Sequence, residues 1–297
     1  MIQKLVALHL AIMLCLFNYG QDNKKDKESR GVVFEKTPTS NQKIIDASYH
    51  AVLFAVDDYE DTKIPALQYP IRDAQKLEQV LIDKYGFDRK NVILISNPKA
   101  SDIVNSLDSL ATVLNETTNL IIFFAGHGTN YEHHGSYWMP SDAEKDHRSS
   151  YIPSSEIISS IGAIQTQHTL LISDACFSGG ILRGESKMKS KAYNRLYDVK
   201  SRKAMTSGNV ETVPDKSVFM ECLIYELINN NNKFISALDL FYPISKNVGD
   251  RTNPQFGKID INKTGNVNID MGGQFIFHNT SATFIKEKNS SILLKKI

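Results

Sequence analysis

Residues 120–128 read Leu120-Ile121-Ile122-Phe123-Phe124-Ala125-Gly126-His127-Gly128, and residues 169–180 read Thr169-Leu170-Leu171-Ile172-Ser173-Asp174-Ala175-Cys176-Phe177-Ser178-Gly179-Gly180. Each is a short run dominated by apolar residues that breaks into a glycine-rich turn carrying one reactive side chain. A nearly continuous apolar run of this length, bounded by glycine, fits a strand buried on both faces, as in a parallel sheet. In an open α/β sheet, ligands bind beyond the carboxyl ends of the strands. The two turns therefore put His127 and Cys176 at one sheet edge, and their glycines let the backbone turn sharply and let a substrate chain approach.

Outward from these runs the pattern is regular. Ala51 to Val56 and Val92 to Ile95 read as further strands. Asp73 to Tyr85 carries Ala74, Leu77, Val80 and Leu81 at helical spacing, and Ile103, Leu107, Leu110 and Leu114 mark a second helix with Ser101 as its N-cap. Ser154 to Ile161 suggests a short helix, Ala204 to Ser207 a fifth strand, Ser217 to Ile228 a helix, and another helix follows from Ile235. Gln274 to His278 reads as a terminal strand. The alternation predicts an α/β fold with a mostly parallel central sheet of about six strands and helices on both faces. Two segments are expected to be loop. Residues 249–268 are rich in Asn, Gly and Asp. The stretch Arg183 to Lys203 holds eight Lys or Arg against only Glu185 and Asp198, without a period.

Composition places the chain among ordinary globular proteins: 297 residues, 41% hydrophobic and 23% charged. With 34 Lys plus Arg against 33 Asp plus Glu, no global field draws nucleic acid or anionic lipid. Lys4 precedes an apolar run, Leu5 to Phe17, that is short of the ~20 residues a membrane span needs. Residues 1–20 therefore read as a secretory signal, 21–43 as a polar leader and 44–297 as one domain, giving an exported chain, periplasmic or secreted, with no stable membrane insertion. Cys15 would leave with the signal. Cys176 and Cys222 would remain, too few for a disulfide framework. Cys222, beside Phe219 and Leu223 on an apolar helix face, reads as core. A free thiol kept at a glycine turn in an exported chain points instead to reactivity.

That chemistry needs both side chains. A thiol of ordinary pKa is only a few per cent thiolate at neutral pH, and an adjacent imidazole takes its proton. Backbone N–H groups of Gly128 and Cys176 are the natural donors to a developing oxyanion. A metal reading has His127, His133, His134 and His147 close in sequence, but no zinc-type spacing. Asp174, two residues before the thiol, would repel an acidic substrate side chain and attract a basic one. It could equally accept hydrogen bonds from loop amides.

The segments Phe124-Ala125-Gly126-His127-Gly128 and Asp174-Ala175-Cys176-Phe177-Ser178-Gly179 resemble the caspase-like cysteine peptidases, and among them the metacaspases and bacterial orthocaspases. His127 and Cys176 are 49 residues apart, close to the spacing of about 50 in caspases. The resemblance runs over about residues 48–278. It implies a caspase-like sandwich, a dyad of Cys176 and His127, and hydrolysis through a thioester acyl-enzyme. It also implies a primary specificity (S1) pocket in which Asp73, within Leu67-Gln68-Tyr69-Pro70-Ile71-Arg72-Asp73-Ala74, joins Asp174, with Ser207 lining the cleft. Two carboxylates suit Arg or Lys at P1, the residue before the cut. The alternative for Asp73 is an acid favoured at a helix N-terminus. The partners expected are thus peptides or proteins with a basic P1 residue. Pro70 and Ala125 replace the Cys and Ser of many members. Asp142 could match one calcium ligand, but Ile152-Pro153-Ser154 and Arg183 lack acids, so no full hard-cation shell and no cofactor are expected. The basic stretch 183–203 matches a linker that such chains often cut during maturation. Clostripain-like or gingipain-like peptidases share these turns, and a non-catalytic homologue would be a scaffold. The intact His and Cys argue for an enzyme.

Overall fold

The computed structural model describes residues 41–131, 133–176, 182–184, 193–208, 215–248, 252–261 and 270–282. The expected signal, nearly all of the leader, and residues 185–192 of the basic stretch lie outside them. The chain forms α1 (Asn41–Asp46), β1 (Ser48–Ala55), α2 (Pro70–Tyr85), β2 (Val92–Ser96), α3 (Ala100–Val113) and β3 (Thr118–Ala125). A small sheet follows, of β4 (Gly128–Tyr131), β5 (Gly135–Trp138) and β6 (Ile152–Pro153), and then α4 (Ser154–Ala163) and β7 (His168–Cys176). The rest is β8 (Leu182–Gly184), α5 (Tyr193–Tyr197), β9 (Ser201–Gly208), α6 (Val218–Asn229), β10 (Phe234–Ser236), α7 (Ala237–Asn247), β11 (Gln255–Ile259) and β12 (Ile276–His278).

The central sheet has the order β2-β1-β3-β7-β9-β11-β8. Its first five strands are parallel, β11 runs antiparallel to β9, and the three-residue β8 runs antiparallel to β11. Although β1 and β3 are apolar almost throughout, their residues divide by the two-residue period of a strand. Leu53, Phe123, Ile172 and Met205 face α2, α6 and α7 through Leu77, Leu81, Phe219, Leu223 and Leu240. Val52, Phe54, Ile122, Phe124 and Leu171 face α3 and α4 through Ile103, Leu107, Ile157 and Ile161. Helix α2 starts with Pro70 in its first turn and stops at Gly86, which takes φ +67 and has Thr280 Cγ2 only 2.7 Å from where a Cβ would stand.

The architecture matches the mostly parallel sheet covered on both faces that the sequence implies, with three differences. The sixth long strand is 255–259, from a segment read as loop, while 276–278 pairs with β10 in a separate two-stranded sheet. Gln255-Phe256-Gly257-Lys258-Ile259 lies next to the sheet's outer edge, so it needs no unbroken apolar run, and the surrounding Asn and Gly conceal it. The basic stretch 183–203 is not one exposed loop. It includes α5 and the start of β9, where Arg202 and Lys203 are fully buried. Third, α3 begins at Ala100 rather than being capped by Ser101. The Asp142 carboxylate accepts from the Ala100 N–H (2.9 Å) and the Asp102 carboxylate from the Lys99 N–H (2.9 Å). That gives Asp142 a structural use.

Candidate active site

The register of β3 with β7 sets Ala125 opposite Asp174. His127 therefore lies two residues beyond one strand end and Cys176 two residues beyond the matching point of its neighbour. The Gly126 N–H approaches the Asp174 carbonyl at 3.5 Å across the join. On its other side β7 breaks register with β9 between Ser173 and Cys176, and pairing resumes with Cys176 opposite Gly208. Such an irregularity re-aims side chains at a strand end. Of Cys176 the structure describes the backbone.

His127 is half-buried and held from the β1–α2 loop, residues 56–69. Its Nε2 lies 2.8 Å from the Pro65 carbonyl oxygen. A carbonyl only accepts, so Nε2 carries the proton and Nδ1 is left as the acceptor of the neutral ring. The His127 N–H donates to Tyr59 Oη at 2.8 Å, and the Tyr59 ring lies 5.2 Å from the imidazole, centroid to centroid. A Cβ on Gly126 would stand 3.2 Å from Tyr59 Oη and 3.2 Å from Val56 Cβ, so glycine there permits the approach. The Met139 N–H donates to the His127 carbonyl at 3.0 Å, a single bond that extends the β4–β5 ladder by one position, since the His127 N–H goes to Tyr59. Antiparallel pairs alternate, so Gly128, opposite Trp138, belongs to a non-bonded pair and its N–H points away from β5.

Asp174, Asp73 and Ser207 are all buried, and the fold brings them together. Ser217 Oγ donates to Asp174 Oδ1 at 2.9 Å while also capping α6 through the Met220 N–H (3.2 Å). Burial pushes the Asp174 carboxyl up to about 6. The Ser207 and Ser217 hydroxyls pull it down, and the nearby charge of Asp73 pushes it further up. Asp73 pairs with the half-exposed Lys76 at 2.9 Å.

Two further acids adjoin this pair. Asp57 accepts from the Ile71 N–H at 3.0 Å, and its carboxyl is raised, chiefly by burial and then by Asp58, Asp215 and Asp73. Asp215 accepts from the Gln68 N–H at 2.9 Å and the Tyr69 N–H at 3.3 Å. Asp57, Asp73, Asp174 and Asp215 thus gather around the N-terminal end of α2. Helix ends of that polarity favour anions, so part of the gathering is held by the fold itself. Sequence reading missed Tyr59, Pro65, Asp57, Asp215 and Ser217. Pro65 contributes only a carbonyl, which no side-chain pattern reveals. Ser217 alone carried a signal, as the residue before an apolar helix.

The model of the caspase domain matches residues 48–264 of the chain. No curated protein sequence matches it. Among solved structures, a protein of Geobacter sulfurreducens is similar at a TM-score of 0.54 and 16% identity, over 77% of this chain and 99% of that one. Caspase-1 from Spodoptera frugiperda is similar at 0.52 and 14% identity, over 72% of this chain and 87% of its own.

Proposed function

The chain belongs to the caspase-domain family of cysteine peptidases, and on that premise we propose that it is an endopeptidase cutting after Arg or Lys, with Cys176 as nucleophile and His127 as base. The observation that carries the basic preference is the gathering of buried carboxylates, Asp73 and Asp174 foremost, beside the His127 turn. A guanidinium or ammonium entering there adds to the one cation, Lys76 on Asp73, that the described residues set against these acids.

In this reading His127 Nδ1 takes the thiol proton of Cys176 while Nε2–H stays with the Pro65 carbonyl. The thiolate attacks the scissile carbonyl carbon. The oxygen that becomes negative is met by the N–H groups of Gly128 and Cys176. The C–N bond breaks as the imidazolium returns its proton to the leaving amine, leaving a thioester. Water then attacks the thioester, losing a proton to Nδ1, and the thiol is regenerated as the acid product departs. Nothing in this sequence requires a cofactor.

The same preference bears on the basic stretch. Arg202 and Lys203 are buried in β9, Lys200 pairs with Glu116, Arg195 lies in α5 and Arg183 in β8 paired with β11, so self-cleavage would fall among Lys187, Lys189 and Lys191. Intact-mass measurement of the wild type beside Cys176→Ala tests this, and equal nicking in both removes it. The reading also takes the chain to be exported, on the strength of Lys4 and the apolar run behind it; fractionation of the producing cell checks that. The central test compares fluorogenic peptides ending in Arg, Lys or Asp. Turnover of the Arg or Lys peptide that disappears in Cys176→Ala is expected. Turnover of the Asp peptide alone overturns the basic pocket.

A further inference from the structure

The β1–α2 loop touches His127 at three points, and two of them come from one side chain. Tyr59 Oη accepts the His127 backbone N–H at 2.8 Å, and the Tyr59 ring lies against the imidazole at 5.2 Å with a tilt of 37°. The third is the Pro65 carbonyl on Nε2. His127 lies just past the end of β3, where the central sheet no longer holds the backbone, and Gly126 before it takes a φ of +155 that few other residues adopt. Its N–H makes its hydrogen bond to Tyr59 Oη rather than to β5, whose Met139 N–H reaches only the His127 carbonyl.

Tyr59 is itself anchored. Its ring packs against the cluster of Ile64, Tyr137, Ala143 and Tyr151, and it also borders the core beneath α3 and α4. The loop around it is tied on both sides: the Glu60 N–H donates to the Ser141 carbonyl at 2.8 Å, and the Asp57 N–H donates to the Asn97 side chain at 2.8 Å. Burial keeps the Tyr59 hydroxyl protonated through the whole working range of pH, so its contact with His127 is a neutral hydrogen bond whose strength does not change as the enzyme titrates.

We propose that Tyr59 is the positioning residue of His127: its hydroxyl fixes the backbone of the base and its ring fixes the plane of the imidazole, so that Nδ1 is held in one orientation as the acceptor for the thiol proton. This rests on the assignment of His127 as base. Tyr59 contacts His127, and it acts through ring orientation. Small misalignments of a base lower the rate without weakening substrate binding.

The test uses the full chain with Tyr59→Phe, which removes only the hydroxyl, and Tyr59→Leu, which removes the ring as well. Two readouts are taken: kcat and KM on the Arg peptide, and the rate at which iodoacetamide alkylates Cys176 without substrate, read by peptide mapping so that Cys222 does not interfere. Tyr59→Phe is expected to lower kcat about tenfold and Tyr59→Leu about a further tenfold, with KM within about twofold of the wild type. Alkylation at neutral pH should slow in the same order. Should Tyr59→Leu fail to fold, Tyr59→Phe alone carries the comparison. Unchanged Cys176 alkylation in Tyr59→Phe overturns the proposal, whatever the peptides show. Slowed alkylation with no peptide cut leaves the positioning role standing and sinks the proposed substrate class instead.

Discussion

At the carboxyl end of β7 and β9, Asp174 is buried with Asp73, Asp57 and Asp215 near it, and among the described residues the basic partner of the group is Lys76 on Asp73. At the amino end of β9, Asp270 is also buried, yet it lies between two lysines, Lys203 Nζ at 3.4 Å and Lys258 Nζ at 3.3 Å, and accepts from the N–H groups of Arg202 (2.8 Å) and Gly272 (2.9 Å). Beside it the Arg202 guanidinium donates to the carbonyls of Ser201, Ile164 and Thr166. Both regions bury charge, but only one supplies its own counterions. A buried charge that is paired within the chain serves the fold, since removing one partner strands the other. Buried acids of one sign without a matching cation are costly, and such a cost persists where a ligand answers it.

The comparison breaks most visibly at the paired end. Asp270→Asn should strand Lys203 and cost about 3–5 kcal/mol of stability, read as a lower urea midpoint, while kcat/KM below the transition stays near the wild-type value. Gly273→Ala should destabilise the same region for a steric reason: its Cβ would stand 1.6 Å from the Val199 carbonyl oxygen, part of the backbone to which residues 271–274 are laced through Lys200 and Leu196. If either substitution abolished activity in a fully folded protein, the paired end would not be merely structural.

Asp174→Asn should do the opposite. Turnover of Arg peptides should fall about a hundredfold, roughly 2.7 kcal/mol, without loss of fold. Stability should rise at pH 7. With a folded-state value of about 6 against an ordinary 3.8, the raised carboxyl favours the folded state below pH 3.8, and that contribution is lost as pH rises through about 6. At neutral pH, burying the charge therefore costs on the order of 3 kcal/mol, which the neutral amide avoids. The same titration gives a pH signature. In the wild type, kcat/KM toward Arg should fall as pH drops through about 6, because the protonated acid no longer attracts the P1 cation. The fall should flatten in Asp174→Asn. An unaltered acid limb would remove Asp174 from the pocket.

How much of this was legible in the sequence follows the same division. The strand ends bearing His127 and Cys176 could be read because parallel strands buried on both faces leave unbroken apolar runs, and glycine turns mark where they stop. Asp174 could be proposed because it stands two residues before the thiol, and Asp73 because the stretch around it resembles the pocket segment of the caspase-like family. Arg202 and Lys203 were read as solvated because eight basic residues in one stretch dominate any window. The partner that buries Lys203, Asp270, lies 67 residues away and has no local signature. Tyr59 and Pro65 escaped for a related reason, since their contacts with His127 span 68 and 62 residues and one of them is a backbone carbonyl.

Asp215 offers the finest comparison, because its hydrogen bonds copy those of Asp270 without the lysines. Its carboxylate accepts the Gln68 and Tyr69 N–H groups just ahead of α2, and two residues later Ser217 holds Asp174. One short segment thus joins the loop before Asp73 to the acid at the end of β7. Asp215→Asn keeps an acceptor for the Gln68 N–H and removes a charge from the group. The cost to stability should be under about 1 kcal/mol, since a hydrogen bond is retained and no cation is stranded. KM toward Arg should rise about threefold through the lost attraction, and high salt should shrink that difference. Asp215→Ala removes the acceptor too and should lower stability by about 1–3 kcal/mol. If the Asn and Ala variants matched in KM and in stability, neither the charge nor the clasp would matter, and the acidic gathering at α2 would reduce to Asp73 and Asp174 alone.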